Sequence, residues 1–190
     1  MRRLMALFTA FALFFLSSCT GQGPLALFED IRAFYSGAQA LSITADVTAD
    51  YGGTIFEFTL LYSGSIAGGR IEVLAPETVA GIQADVSFED GVTLRYDGAE
   101  LYTGALSPDG LSPVDCIPVM LRQWCSGYIS AAGYDSVMGI DTLQVDFDID
   151  GVLLRTWFDR ETWIPVTAEF VNGNAVVITC VFRDVADTAA

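Results

Sequence analysis

The 190-residue sequence contains no histidine and no lysine. Without histidine there is no Ser-His-Asp or Cys-His nucleophile pair, no imidazole general base and no imidazole metal ligand. Without lysine there is no Schiff base and no Walker-type phosphate loop. The nine cations are all arginine and face 24 acidic residues, for a net charge of −15. Phosphate neutralisation needs a cationic surface, so nucleic acid is excluded as a partner. Charged residues make up only 17% against 52% hydrophobic, which excludes a disordered chain. The length suits one domain.

A long apolar run is also missing. Leu4 to Leu16, broken only by Thr9, covers 13 residues, whereas a membrane-spanning helix needs about 20. Preceded by Arg2 and Arg3, the run has the form of a signal-peptide core. It ends in Leu16-Ser17-Ser18-Cys19, which resembles the bacterial lipobox, where the cysteine is lipidated and becomes the mature N-terminus. The expected organisation is a lipoprotein signal peptide over 1–18, a lipidated tether over 19–23 with Cys19 as the attachment site, and a single domain over 24–190. Loss of Arg2 and Arg3 leaves seven arginines against the same 24 acids, a charge of −17. A tether of this length reaches only about 15 Å. The domain is therefore expected at the extracytoplasmic face of the cell membrane, held there by acyl chains worth about 0.8 kcal/mol per buried CH₂.

Beyond the tether, Leu27, Phe28, Ile31, Phe34 and Tyr35 repeat at helical spacing after Pro24, with Gly37 as a stop. The period then changes to two. Residues 41–50, 54–62, the stretch from Gly68 through Val73, 82–88 and 92–96 alternate apolar and polar residues, separated by Gly- and Asp-rich turns. Residues 104–117 read as a loop, and a second helix is expected from Pro118 to about Ser130. Strand-like pieces follow at 143–149, 152–158, 164–170 and 176–182. Sequential hairpins with two helices imply an α+β architecture, an antiparallel sheet covered by helices on one face.

Asp146-Phe147-Asp148-Ile149-Asp150-Gly151 imitates the start of an EF-hand loop. The twelfth position is Trp157 where a bidentate Glu is required. The run therefore reads as a strand with a wet acidic face, and no metal site is expected. The other acids also alternate with apolar residues, as solvated strand faces do, and no carboxylate pair marks a catalytic dyad. Cys180 shares parity with Val176, Ile178 and Phe182 and reads as a buried thiol. Cys116 and Cys125 could pair outside the cytoplasm. A helix beginning at Pro118 would hold them roughly 10 Å apart, which favours two free thiols.

The stretch Trp157-Phe158-Asp159-Arg160-Glu161-Thr162-Trp163-Ile164-Pro165, with the strands that follow it, has the form W-x-D-x-x-T-x-x-P. It resembles the terminal hairpin of the LolA/LolB/LppX/RseB-like lipoprotein-carrier superfamily. The N-terminal helix, Phe58-Thr59-Leu60-Leu61-Tyr62 and Val73-Leu74-Ala75-Pro76-Glu77 are similar to LolA-like lipoproteins of Gram-positive bacteria. The resemblance implies an incomplete barrel: a curved antiparallel sheet of about 9–11 strands with two helices on its concave face. It also implies a non-enzymatic protein without cofactors.

Two functions follow from the resemblance and the aromatic content. The first is a membrane-anchored protein that binds an apolar ligand, a lipid or lipoprotein acyl chain, between sheet and helices. Phe56, Phe58, Phe88, Val145, Phe147 and Ile178 are its candidate lining. The second is an envelope protein-interaction or regulatory module, RseB-like or germination-lipoprotein-like, whose groove is filled by its own helices.

Overall fold

A computed structural model describes residues 23–188; the signal segment and Cys19 lie outside them. Helix α1 spans Pro24–Gly37, with the proline in its first turn where a missing N–H costs nothing. Six strands follow: β1 (Leu41–Asp50), β2 (Ile55–Ser65), β3 (Gly68–Ala75), β4 (Gln83–Ser87), β5 (Gly91–Tyr96) and β6 (Ala99–Gly104). Helix α2 spans Cys116–Ser126. The chain returns through β7 (Ile129–Val137), β8 (Ile140–Ile149), β9 (Val152–Asp159), β10 (Pro165–Asn172) and β11 (Ala175–Asp187).

All eleven strands form one antiparallel sheet in the order β6-β5-β4-β3-β2-β1-β11-β10-β9-β8-β7. The chain starts at the centre, walks out to one edge, crosses back through α2, and walks in from the other edge. β1 and β11 pair at the middle, with Val47 opposite Cys180 and Ala49 opposite Ile178. The outer strands β6 and β7 are not paired with each other, so the curved sheet is an unclosed barrel. One face is mostly apolar, with Thr156 a polar exception. Leu41, Ile43, Ala45, Val47 and Ala49 of β1 are buried while the residues between them are half-exposed, as period-two patterning requires.

Both helices lie on that face, and aromatic packing fixes them there. Phe28 of α1 contacts Phe147 of β8 and Phe158 of β9 at centroid distances of 5.6 and 5.8 Å. Trp124 of α2 sits 5.1 Å from Tyr35, 5.2 Å from Phe158 and 5.9 Å from Phe182. Its indole N–H donates to Thr156 Oγ1 at 3.0 Å. Arg32 of α1 donates to the carbonyls of Trp124 and Gly127 at 3.2 and 2.9 Å. These carbonyls lie at and just beyond the C-terminus of α2, where the helix dipole favours a cation.

The W-x-D-x-x-T-x-x-P hairpin is built as its residue types suggest. Asp159 Oδ1 accepts from the Glu161 and Thr162 amides at 2.8 and 3.4 Å. Thr162 Oγ1 accepts from the Ile164 amide at 3.4 Å. Trp163 takes a left-handed φ of 64°, and Pro165 opens β10.

Three expectations need correction. The second helix begins at Cys116 rather than Pro118 and ends at Ser126, because Gly127 leaves the helix in an extended conformation. Residues 129–137, of which the first two are expected at the end of the second helix, form β7. Residues 99–104, previously unassigned, form β6. Both are edge strands with mostly exposed side chains, so neither carries the contrast of buried and exposed residues that marks a strand in sequence. In the 146–151 run, Asp148 accepts from the Gly151 amide at 3.0 Å, closing the β8–β9 hairpin. Asp146 accepts from Gln144 and Arg155 at 2.8 and 3.2 Å.

Replacing Trp124 tests the aromatic packing. Trp124→Ala should cost about 3–5 kcal/mol through the cavity it leaves. Trp124→Phe should cost about 1–3 kcal/mol through the unpaired Thr156 hydroxyl. Urea denaturation of the two variants against wild type measures both; a Trp124→Phe variant as stable as wild type would deny the hydrogen bond any role.

Candidate functional site: an apolar pocket beneath the 112–114 segment

The helices do not cover the two wings of the sheet equally. α1 packs on α2, β7 and β8, so the β7–β11 wing is filled from above. On the other wing a pocket of 260 Å³ remains. Its floor is Phe58 and Leu60 of β2, Ile71 and Val73 of β3, Ala84 of β4 and Leu94 of β5, with Ile82 at the β4 entry. Its roof is Ser112-Pro113-Val114, separated from α2 only by its N-cap residue Asp115. The strands supply this floor because their inward parity is apolar and antiparallel register stacks it: Leu60 lies opposite Val73, and Ile71 opposite Ala84.

The roof is a built structure. Ser112 Oγ donates to Asp115 Oδ2 at 2.6 Å, and the Asp115 amide donates back to Ser112 Oγ at 3.2 Å. Tyr51 donates its hydroxyl to the Leu111 carbonyl at 3.0 Å. Asp109 Oδ1 accepts from Ser107 Oγ at 2.7 Å and from the Leu111 amide at 3.2 Å. Gly110 has φ of 70° and lies against Phe170; a Cβ there would come within 2.3 Å of the ring. Only glycine satisfies both the conformation and the close approach.

Among the described residues no titratable side chain lines the pocket. Its one polar side chain, Ser112, is already bonded to Asp115. The site can hold an apolar group and has no means to move a proton. At 260 Å³ it lies below the roughly 300–1,000 Å³ of typical ligand sites, which suits part of one hydrocarbon chain rather than several. A second concavity of 500 Å³ lies at the other end of α2 and mixes polar and apolar lining, including Ser36, Phe88, Glu89 and Arg122. The Arg122 guanidinium lies 4.6 Å from the centre of the Phe88 ring.

Of the six candidate lining residues, Phe58 alone lies at the apolar pocket. Phe56 is 45% exposed and stacks on Phe58 at 6.4 Å. Phe88 belongs to the second concavity. Val145, Phe147 and Ile178 are fully buried, and Phe147 is covered by Phe28 of α1. The structure therefore does not gather the six into one site. Leu60, Ile71, Val73, Ala84 and Leu94 could have been found by their strand parity. The roof was signalled only by the apolar pair Pro113-Val114 inside a polar loop.

Asp115 is the titratable group nearest the roof. Burial pushes its carboxyl above the usual carboxylate range, partly opposed by the bonds from Ser112 and the Ser107 backbone. A raised folded pKa stabilises only the protonated side of the titration, and stability is lost as pH rises through it. Asp115→Asn removes that loss and retains an acceptor for Ser112. The melting temperature of this variant relative to wild type should therefore climb as pH rises through and above the ordinary carboxylate range, from about pH 4. A difference that stays flat across that range would mean the carboxyl is not held back.

No protein-family model and no curated protein matches the chain. Likeness is found among solved structures. A DUF1329 family protein from Desulfovibrio piger is 12% identical over 89% of this chain and 95% of its own, with a TM-score of 0.51. An uncharacterized conserved protein from Thermus thermophilus is 9% identical over 84% and 86%, with a TM-score of 0.52. A LolA superfamily protein from Nitrosomonas europaea is 7% identical over 86% and 92%, with a TM-score of 0.43. None of the three bears on the narrower likeness to Gram-positive lipoproteins. At such identities the likeness is one of fold. The fold shared here is the α+β incomplete barrel implied by the terminal hairpin.

Proposed function

We propose that the chain is a membrane-anchored extracytoplasmic lipoprotein that holds an apolar ligand, part of a lipid or lipoprotein acyl chain, beneath the 112–114 segment. It does so without catalysis. The observation that carries this reading is the pocket itself, apolar on every strand that floors it and free of titratable groups. Anchoring rests on the basic start, the 13-residue apolar run and Leu16-Ser17-Ser18-Cys19. In this reading residues 1–18 are removed, Cys19 carries the lipid and residues 24–190 form the domain.

A binding role is supported by energetics as well as shape. Each methylene drawn from water into such a site contributes about 0.8 kcal/mol. Only the surplus over the cost of immobilising the ligand appears as affinity, so a partial chain of a few methylenes gives reversible binding. This suits a protein that receives or presents a lipid. The filled β7–β11 wing favours a second reading, an envelope partner-binding module with a self-filled groove. The two separate by experiment.

Titration of the full chain with a fluorescent fatty acid should show saturable binding. Ala84→Phe, which fills the floor, and Val114→Asp, which charges the roof, should each weaken it at least about tenfold, or 1.4 kcal/mol. Circular dichroism melts establish that both variants fold. Binding that neither change affects would dismiss the pocket and favour the partner-binding module.

Anchoring is checked separately by fractionation. Cys19→Ala should move the chain out of the membrane fraction; a variant that stays there would refute lipidation at Cys19.

A further inference from the structure

We propose that Cys116 and Cys180 form a disulfide in the exported protein, fastening the first residue of α2 to the middle of the sheet. This rests on the reading that the chain leaves the cytoplasm, since thiols are kept reduced inside it. The two sulfurs lie 3.9 Å apart although the residues are 64 positions apart in sequence. Both side chains are fully buried. The neighbours on either side of Cys180 are Val47 of β1 and Ala168 of β10, which leave the sheet surface low at that point. Bond formation requires the sulfurs to close to about 2.05 Å.

The third cysteine of the domain is poorly placed to compete. Cys125 occupies the opposite end of α2, nine residues and about 13 Å along the helix axis from Cys116. It is half-buried among α1 residues and bonded to Ser36. Cys116 and Cys125 are therefore out of reach of each other, as the helix spacing predicts, while a partner from the far end of the chain is in contact.

Timing follows from burial. The hydrogen bond with Cys116, then desolvation, push the Cys180 thiol well above its ordinary range. The thiolate is the nucleophile, so the docked pair is inert and the bond must form before α2 closes over β11. The oxidant is the disulfide of a thiol–disulfide oxidoreductase, or oxidised glutathione in vitro. One cysteine thiolate attacks it, giving a mixed disulfide and expelling one oxidant thiolate. The second cysteine attacks the protein-side sulfur of the mixed disulfide and expels the other. The pair loses two protons and two electrons, and the oxidant ends as two thiols.

The test begins with full-length chain recovered from the membrane fraction, alkylated under denaturing, non-reducing conditions and digested. Mass spectrometry should find the Cys116 and Cys180 peptides joined and Cys125 alkylated. Reductant should lower the melting temperature of wild type and of Cys125→Ser by roughly 5–15 °C, and leave Cys116→Ser unmoved. In parallel, reduced and unfolded chain is refolded in glutathione buffer, which reads the pair without any need for export. A 116–180 link there, beside free thiols in cells, would overturn the exported setting. Three alkylated cysteines after refolding, or a Cys116–Cys125 link, would overturn the pairing itself.

Discussion

Trp124 holds both helices to the sheet, and the arrangement of the whole inner face follows from that contact. Its ring is shared between Tyr35 of α1, Phe158 of β9 and Phe182 of β11. Its one polar atom is paired with Thr156, so a large aromatic is buried without leaving an unpaired donor. Arg32 then ties α1 to the end of α2 through two backbone carbonyls while its guanidinium rests on Phe28. An unclosed sheet needs such a device. Its apolar face would otherwise lie in water at about 25 cal/mol per Å², and no strand pairing between β6 and β7 exists to shut it away.

Because the clamp is built on β8, β9 and β11, it covers one wing and not the other. The aromatics that α1 brings, Phe28 and Tyr35, point to Phe147 and Phe158. Among the described residues no equivalent aromatic from α1 reaches β3, β4 and β5, whose inward residues are the smaller Ile71, Val73, Ala84 and Leu94. The pocket is thus the complement of the clamp. The sheet has one continuous apolar face, and the helices fill only part of it.

How far the sequence predicted this depends on whether each element has an inside and an outside. β1 and β8 are central or well covered, and their alternation of Leu41, Ile43, Val47 and of Leu143, Val145, Phe147 is plain. β6 and β7 lie at the edges, carry exposed residues on both faces, and give no period to detect. The site suffered from a different gap. Parity along a strand tells which residues face inward, so Phe58, Val145 and Phe147 were indistinguishable. Which of them a helix covers is a tertiary fact, and it puts Phe147 under Phe28 of α1 while Phe58 remains at the pocket. Cys116 fared likewise: its sequence neighbour Cys125 was the visible candidate, whereas its spatial neighbour is set by the register of β11.

The segment between β6 and α2 takes the place of the missing barrel closure. It starts at one edge strand, lays Gly110 against Phe170 on the opposite wing, and brings Pro113 and Val114 back over β2 to β5. It therefore spans the mouth of the curved sheet, and its attachments differ in strength from those of the strands. The ladder between β3 and β4 alone joins five residue pairs and opens only at the cost of several hydrogen bonds together. The 107–114 segment is held instead by the Tyr51–Leu111 contact, by the Ser107–Asp109 and Ser112–Asp115 bonds, by the bonds of the Cys116 amide and thiol to the Ser112 and Pro113 carbonyls, and by packing of Leu111 and Val114 on the core.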